Sequence, residues 1–297
     1  MNILRLLYLL PAIMAIACRP DPKETLRTDL NELLNDLPGR HAVAFIPMEG
    51  SDSLMIRPDA VFHAASTMKT PVMVELYRQA QTGELTMDDS VAIRNEFRSI
   101  VDGRTYSLSA GDDSDTAAYN MVGKKTTIRE LLRRMITVSS NLATNILIER
   151  VNPGKVEKTL RSMGLNNMRV LRGVEDQAAF EAGLNNVTTA RDQALLYESI
   201  ARMEAADSAS CREMIDILSA QEFNEGIPAG LPAGTKVAHK TGWIRGVRHD
   251  GGIVMMPDGR SYVLVILTSG WTDDDQAVRT MAAVSRRVHE YISGTDR

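Results

Sequence analysis

A chain of 297 residues is long enough to bury a sizeable core, as one large domain or as two lobes. Its composition, 44% apolar and 24% charged with 20 glycines and 11 prolines, is that of a globular protein and argues against a disordered chain or one with several membrane spans. The formal net charge is -4 and no long basic run occurs, so nucleic acid is not expected as a partner.

The first residues have the pattern of a secretory signal. Arg5 is the one charged residue of 1–17, and the apolar run 6–17 is too short for a spanning helix. Residues 15–17 and Cys18 resemble a bacterial lipoprotein signal, in which the cysteine becomes the lipidated first residue. The same residues form an A-x-A cleavage site, so plain secretion stays open. We expect an exported protein, periplasmic or at the cell surface, anchored to the membrane by lipid on Cys18.

The segment after the signal leads into the first folded elements. Residues 18–25 are polar, carry two prolines, and are predicted to be the lipid-anchored tether. Leucines then recur at helical spacing over 26–37, and Pro38-Gly39 ends that helix. A strand over Ala42–Pro47, a turn, and a partner strand over Ser53–Ile56 are predicted next.

Helical periodicity dominates the middle of the chain, and alternation returns after residue 234. The predicted helices are Thr67–Thr82, Thr116–Val122, Ile128–Met135, Leu142–Arg150, Lys155–Met163, Thr189–Met203 and Ser208–Ala220. The predicted later elements are the strands Val237–Thr241, Gly252–Met256 and Tyr262–Thr268, and the closing helix Asp274–Ile292. Residues 257–259 are predicted to turn between the last two strands.

Strands at both ends with helices between them predict an α/β (α+β) fold. One antiparallel sheet would be built from both termini and flanked by helices, with an all-helical lobe inserted into it. The sheet lobe would comprise 26–65 and 231–297, and the helical lobe 66–230. We expect a monomer, with Cys211 as a buried apolar residue.

The first chemical motif is Ser66-Thr67-Met68-Lys69. A serine nucleophile needs a group that takes its proton, and in a helix Lys69 lies on the same face as Ser66. If Ser66 begins that helix, the partial positive charge there favours a developing oxyanion. Burial and neighbouring cations would lower the pKa of Lys69 toward that of a base.

The second motif, Ser139-Ser140-Asn141, follows an apolar segment and precedes a helix. One of the three residues is expected to cap that helix. Ser139 would relay a proton to a leaving nitrogen, and Asn141 would hydrogen-bond a substrate amide. Asn145, one helical turn further on, would brace Asn141.

The third motif, Lys240-Thr241-Gly242, lies on a predicted strand. Lys240 and Thr241 can bind a carboxylate, and Gly242 lets a backbone N–H approach a carbonyl closely. Arg245, Arg248 and His249 follow, and we take Arg248 as the candidate for a second carboxylate contact.

The order and rough spacing of these motifs resemble those of the penicillin-recognising serine enzymes, and the chain most resembles class A β-lactamases, over about residues 25–295. The resemblance implies a two-lobe fold and acylation of Ser66 by a β-lactam or a D-alanyl peptide. It also implies an oxyanion hole made by the backbone N–H groups of Ser66 and Trp243. The five histidines form no H-E-x-x-H motif and no phosphate-binding loop occurs, so no metal or other cofactor is expected.

The chain departs from the family pattern in two places. Class A enzymes usually read Ser-Asp-Asn at the second motif, where this chain has Ser140. They also carry a glutamate that activates the deacylating water in a loop ending near a Thr-Thr pair, here Thr188-Thr189. Glu181 begins the better match to the family's E-x-x-L-N motif, whereas Glu175 has the better distance from the end of the loop. We favour Glu175, because loop geometry constrains position more than a five-residue string does.

Three functions remain open from the sequence. The first is a serine β-lactamase that hydrolyses the lactam amide through an acyl-enzyme on Ser66. The second, favoured by Ser140, is a D,D-peptidase, penicillin-binding or esterase-like hydrolase with the same site. The third is a non-catalytic sensor that captures β-lactams or peptidoglycan stems.

Overall fold

The computed structural model describes residues 21–50 and 53–294. The predicted signal peptide and Cys18 lie outside the described residues, as does part of the turn at 49–52. None of the described helices combines the length and hydropathy needed to cross a membrane.

The described residues form eleven strands, several of them only two or three residues long. They are β1 Arg40–Pro47, β2 Leu54–Ile56, β3 Phe62–His63, β4 Ser90–Ala92, β5 Phe97–Arg98, β6 Thr105–Tyr106, β7 Lys125–Thr127, β8 Val187–Thr188, β9 Lys236–Ile244, β10 Val247–Met255 and β11 Ser261–Ser269. The short strands β3 to β8 were not predicted, because two or three residues give no readable alternation.

The same part of the chain forms ten α-helices. They are α1 Pro22–Asn35, α2 Lys69–Gln81, α3 Thr116–Tyr119, α4 Ile128–Thr137, α5 Asn141–Val151, α6 Pro153–Ser162, α7 Gln177–Glu181, α8 Ala190–Ala201, α9 Ser208–Ser219 and α10 Asp274–Ser293. Short 3-10 helices occupy Ala65–Met68 and Pro228–Gly230.

The main sheet has five antiparallel strands in the order β2-β1-β11-β10-β9. β1 and β2 come from the first sixty residues and the other three from the last sixty-five, so both ends of the chain build one sheet. The predicted architecture, a sheet from both termini with a helical insertion, is confirmed. The exact lobe limits at residues 65 and 231 stay predictions.

Both faces of the sheet are covered. Along β1, Val43 and Phe45 pack into one apolar cluster with α1 and α10, whereas Ala42 and Ala44 pack into the other, which contains the core of the helical insertion. Alternate residues of a strand face opposite sides, so a sheet buried on both faces needs the nearly continuous apolar run of 42–46.

Helix α1 begins at Pro22, four residues before the predicted start, so residues 22–25 are helical and the predicted tether was too long. The Asp21 side chain accepts the N–H of Lys23, and Pro22 occupies the first turn, where a missing N–H costs nothing. The Asp-Pro pair therefore starts a helix here. Three leucines of the predicted face, Leu26, Leu30 and Leu34, are fully buried.

Strands β9 and β10 are longer than predicted. Both continue to the tight turn at residues 245–246, and Gly242 pairs with His249 across the ladder. The extra residues include glycines and charged side chains, which have no strand pattern of their own. The backbone hydrogen bonds between β9 and β10 extend the two strands, although the local residues have little strand propensity.

Candidate active site

Ser66 lies in the 3-10 helix Ala65–Met68, directly before α2. The backbone of Ala65 is left-handed (φ 46), a conformation that costs energy for a residue with a side chain. Pro71 is the third residue of α2, where its missing N–H is tolerated. Ser66 lines two adjoining cavities that lie between the sheet edge and the helical insertion.

Lys69 is completely buried. Its Nζ donates to the Ser139 carbonyl (2.7 Å), the Ser139 Oγ (3.1 Å) and the Asn141 Oδ1 (3.0 Å). Lys69 therefore bonds the second motif, a contact that its spacing from Ser66 in the sequence does not reveal. Lys69 thus links the first motif to the second by hydrogen bonds.

Two lysine amines meet at Ser139. Its Oγ lies 3.1 Å from the Nζ of Lys69 and 3.0 Å from the Nζ of Lys240, which is also fully buried. Desolvation lowers the pKa of Lys69 to about 7, opposed by the negative charges of Asp113 and Glu175. Desolvation and the nearby Lys69 lower the pKa of Lys240. Lys69 can thus be a neutral amine near physiological pH.

The second motif sits at the start of α5. The Ser140 hydroxyl accepts the N–H of Ala143 (3.3 Å), so of the three motif residues Ser140 is the one that caps the helix. Ser139, one residue earlier, has a left-handed backbone (φ 59) that places it just before the helix. The sharp turn presents the Ser139 hydroxyl to the cleft while the cap remains buried.

Asn141 connects Lys69 to Glu175, which lines the cleft. Its Oδ1 accepts from Lys69, and its Nδ2 donates to Glu175 Oε1 at 3.0 Å. Asn145 does not brace Asn141: it accepts the N–H of Val174 at 2.6 Å and donates to the Val174 carbonyl at 3.0 Å. It therefore fixes the backbone directly before Glu175, a contact across 29 residues that helical spacing cannot reveal.

The structure separates the two candidate glutamates. Glu175 lines the same cavity as Ser66, and its backbone is left-handed (φ 60). Desolvation raises the pKa of Glu175, opposed by the hydrogen bond from Asn141. Glu181 lies at the end of α7 on the surface, where its carboxylate accepts from Gln177 (2.9 Å). Glu181 is not among the residues that line either cavity.

The third motif lies on β9 at the edge of the sheet. Thr241 lines one of the cavities, and the exposed side chain of Trp243 lines both. A Cβ on Gly242 would lie 3.0 Å from the Thr67 methyl and 3.2 Å from the Thr67 nitrogen. A side chain at this position would force the 3-10 helix that carries Ser66 to shift slightly, so glycine suits the close approach of β9.

The basic residues after the third motif have different surroundings. Arg248 lines the cavity that contains Thr241, but its guanidinium also donates to Asp274 at 3.3 Å and lies 3.9 Å from Glu225. Its charge is therefore partly compensated inside the protein. His249 is buried, with Nε2 2.9 Å from the His63 carbonyl, so it does not face the cleft.

The sequence did not identify some residues of the cleft. His63 and the exposed Phe180 line the cavity with Ser66 and Glu175, and their rings are 6.4 Å apart. Both carboxylate oxygens of Asp113, in the loop between β6 and α3, accept the backbone N–H of Asn141. The run Asp112-Asp113-Ser114-Asp115 was the available signal for this loop.

Cys211 lines neither cavity of the cleft. Cys211 is buried on α9, and its Sγ lies 3.5 Å from the Ala206 carbonyl. Within residues 21–50 and 53–294 no group of three or more His, Cys, Asp or Glu side chains is arranged to hold a metal ion.

Comparison with known proteins agrees with this geometry. The profile of the family described as Beta-lactamase enzyme family matches residues 25–292. The chain is 26% identical to a β-lactamase of Bacteroides uniformis, covering 93% of this chain and 94% of that protein. It is 24% identical to the extended-spectrum β-lactamase PER-1 of Pseudomonas aeruginosa, covering 84% and 81%. The solved structure of PBP-A matches with a TM-score of 0.78 and 26% identity, covering 91% of this chain and 96% of that one. This chain therefore belongs to the beta-lactamase enzyme family.

Proposed function

We propose that this protein is a serine β-lactamase that opens the lactam amide through an acyl-enzyme on Ser66. One observation carries the proposal: the Asn141 side chain bonds Lys69 and Glu175 at 3.0 Å each, beside the cavity that Ser66 lines. A nucleophile, a lysine that can be neutral, and a carboxylate open to the cleft are the groups that acylation and hydrolysis both need.

In acylation, neutral Lys69 would take the proton of the Ser66 hydroxyl as its Oγ bonds to the lactam carbonyl carbon. Ser139, bonded to both lysines, would pass a proton to the lactam nitrogen as the C–N bond breaks. Lys240 and Thr241 would bind the substrate carboxylate, and Arg248, which lines the same cavity as Thr241, would be a second contact for it. The N–H groups of Ser66 and Trp243 would stabilise the oxyanion.

In deacylation, Glu175 would accept a proton from water as the water oxygen attacks the ester carbon. The ester C–O bond then breaks, and the proton returns to the Ser66 oxygen. Asn145 supports this role because it fixes Val174, and Glu181 has no place in it because it lies outside the cleft.

A penicillin-binding enzyme with slow turnover is the second candidate. It is favoured by Ser140 in the second motif and by the similarity to PBP-A, of which one variant has been solved as an acyl-enzyme complex with penicillin G. A D-alanyl peptide would then be the natural acyl donor. A sensor without chemistry is the third candidate.

The deciding experiment is intact-protein mass spectrometry during exposure of the wild type to a chromogenic cephalosporin. We expect continuous colour release with at most a transient adduct. A permanent adduct with one burst of colour would assign the protein to the penicillin-binding candidate. Binding without any adduct would support the sensor.

The pH dependence of acylation tests the role of Lys69. The base must be neutral, and its pKa is lowered to about 7, so the acylation rate should rise with pH up to about 7 and level off above it. Below pH 6 the rate should fall about tenfold per pH unit. Stopped-flow measurement between pH 5 and 9 checks this, with circular dichroism as the control for folding. A flat profile would exclude Lys69 as the base.

Export and anchoring remain proposals about residues outside the described part of the chain. The mass of the mature protein distinguishes a lipidated Cys18 from plain cleavage, and Cys18→Ala should leave the protein unprocessed at that site or released from the membrane. Unchanged membrane association of Cys18→Ala would argue against the anchor.

A further inference from the structure

The first backbone N–H groups of α5 are bonded by a side chain from another loop. The Asp113 carboxylate accepts the N–H of Asn141 at 3.0 Å and 2.9 Å, and that of Leu142 at 2.9 Å. The Ser140 hydroxyl accepts only the next N–H, that of Ala143. A helix start leaves these donors without partners inside the helix, and a buried donor without a partner is costly.

Asp113 is itself fixed in place. Its side chain is 5% exposed, and the carboxylate accepts from the Tyr119 hydroxyl and the Asp115 N–H, both at 3.0 Å. Asp115 in turn pairs with Arg134 of α4 through two contacts of 3.1 Å. Ser114 donates to the carbonyl of Val138 at 2.6 Å, just before the second motif. The loop is thus attached to both sides of the start of α5.

The position of Asn141 matters because its side chain bonds both Lys69 and Glu175. Resting on the proposed function, we propose that Asp113 is a positioning residue: by holding the backbone of Asn141, it sets where Lys69 and Glu175 stand relative to Ser66. In the proposed mechanism Asp113 takes part in no step that makes or breaks a bond. Its effect passes through the α5 backbone and through its charge.

The charge of Asp113 gives a second, independent signature. Three charged groups from three different segments face Lys69: Asp113, Glu175 and Lys240. The charges of Asp113 and Glu175 raise the pKa of Lys69 against the lowering by desolvation. Removing the Asp113 charge should therefore lower this pKa further. The acid limb of acylation, meaning the pH range over which the acylation rate falls as Lys69 becomes protonated, would then move to lower pH.

The groups around Asp113 itself are Tyr119, Asp112, Asp115 and Arg134. Burial and the Asp113 charge raise the pKa of Tyr119, so its hydroxyl stays protonated and donates. The Arg134 guanidinium donates to Asp115 and to Glu130.

Asp113→Asn is the direct test, because an amide has one acceptor oxygen for the N–H groups of Asn141 and Leu142. We expect faster amide hydrogen exchange at both residues, acylation slower by about 10- to 100-fold at pH 8, and an acid limb at lower pH. Asp112→Asn is the matched control: it removes the same charge from the exposed neighbouring residue. It should leave both amides protected and move the acid limb less.

Unchanged exchange at Asn141 and Leu142 together with an unmoved acid limb would overturn the proposal. If Asp113→Asn does not fold, Tyr119→Phe removes one bond to the carboxylate and keeps its charge. That variant should speed exchange and slow acylation without moving the acid limb, and wild-type behaviour in both would overturn the proposal.

The amide readout separates this inference from the proposed function. A wild type that forms no adduct with any cephalosporin contradicts the enzyme. Loss of amide protection in Asp113→Asn would still support the positioning of α5, and retained protection would contradict it.

Discussion

Replacing Ser66 with alanine is expected to abolish the covalent adduct and to lower β-lactam hydrolysis by a factor on the order of 10⁶. The hydroxyl is the only group removed, and Ser66 is only partly buried, so the fold should be retained. The remaining cleft can bind a β-lactam but has no nucleophile at that position. Intact-protein mass spectrometry and cephalosporin hydrolysis measure both effects.

The control for Ser66→Ala is Ser162→Ala, a serine on α6 whose hydroxyl bonds the Thr159 carbonyl and lies away from the cleft. Its adduct and turnover should equal those of the wild type. Equal thermal unfolding of Ser66→Ala and wild type would show that the loss is chemical. An adduct of the same mass in Ser66→Ala would place the nucleophile elsewhere and reject the proposed mechanism.

Glu175→Gln is expected to trap the acyl-enzyme. Glutamine keeps the oxygen that accepts from Asn141 but cannot take a proton from water. Acylation should therefore continue, while deacylation slows by about 10² to 10⁴-fold. The adduct would build up to nearly one per protein, which time-resolved mass spectrometry can follow together with the colour burst.

Glu181→Gln is the matched control, since it makes the same change six residues further along the chain. Its carboxylate accepts from Gln177 on the surface of α7, so turnover should stay close to wild type. Trapping by Glu181→Gln and not by Glu175→Gln would reverse the assignment. If neither variant changes a rapid turnover, another group activates the water.

Much of the fold could be predicted because its signals are local. The leucines of α1, the apolar run of β1 and the helical periods between residues 66 and 218 each depend on neighbours within a few positions. The closing helix was predicted over Asp274–Ile292 and is found over Asp274–Ser293, ending at Gly294 in a left-handed conformation. The family was also recognisable, because it depends on three short motifs in a fixed order.

Several of the misses share one physical cause, contacts between residues far apart in the chain. The outer halves of β9 and β10 are strands because each pairs with the other, although their glycines and charges have no strand pattern. Asn145 was expected to brace Asn141 but bonds Val174. Helical spacing describes one helix only and carries no information on what packs against it.

The sheet from both termini, the helical insertion and the three motifs could be predicted from the sequence, because they follow from local patterning and residue types. Only the folded loop brings the Glu175 carboxylate within 3.0 Å of Asn141 and leaves that of Glu181 on the surface, which is the observation that favours Glu175 as the proposed base. Only the folded chain buries Lys69, and burial is what lowers its pKa to about 7. Desolvation depends on what surrounds a group in three dimensions, which no spacing of residues along a chain records.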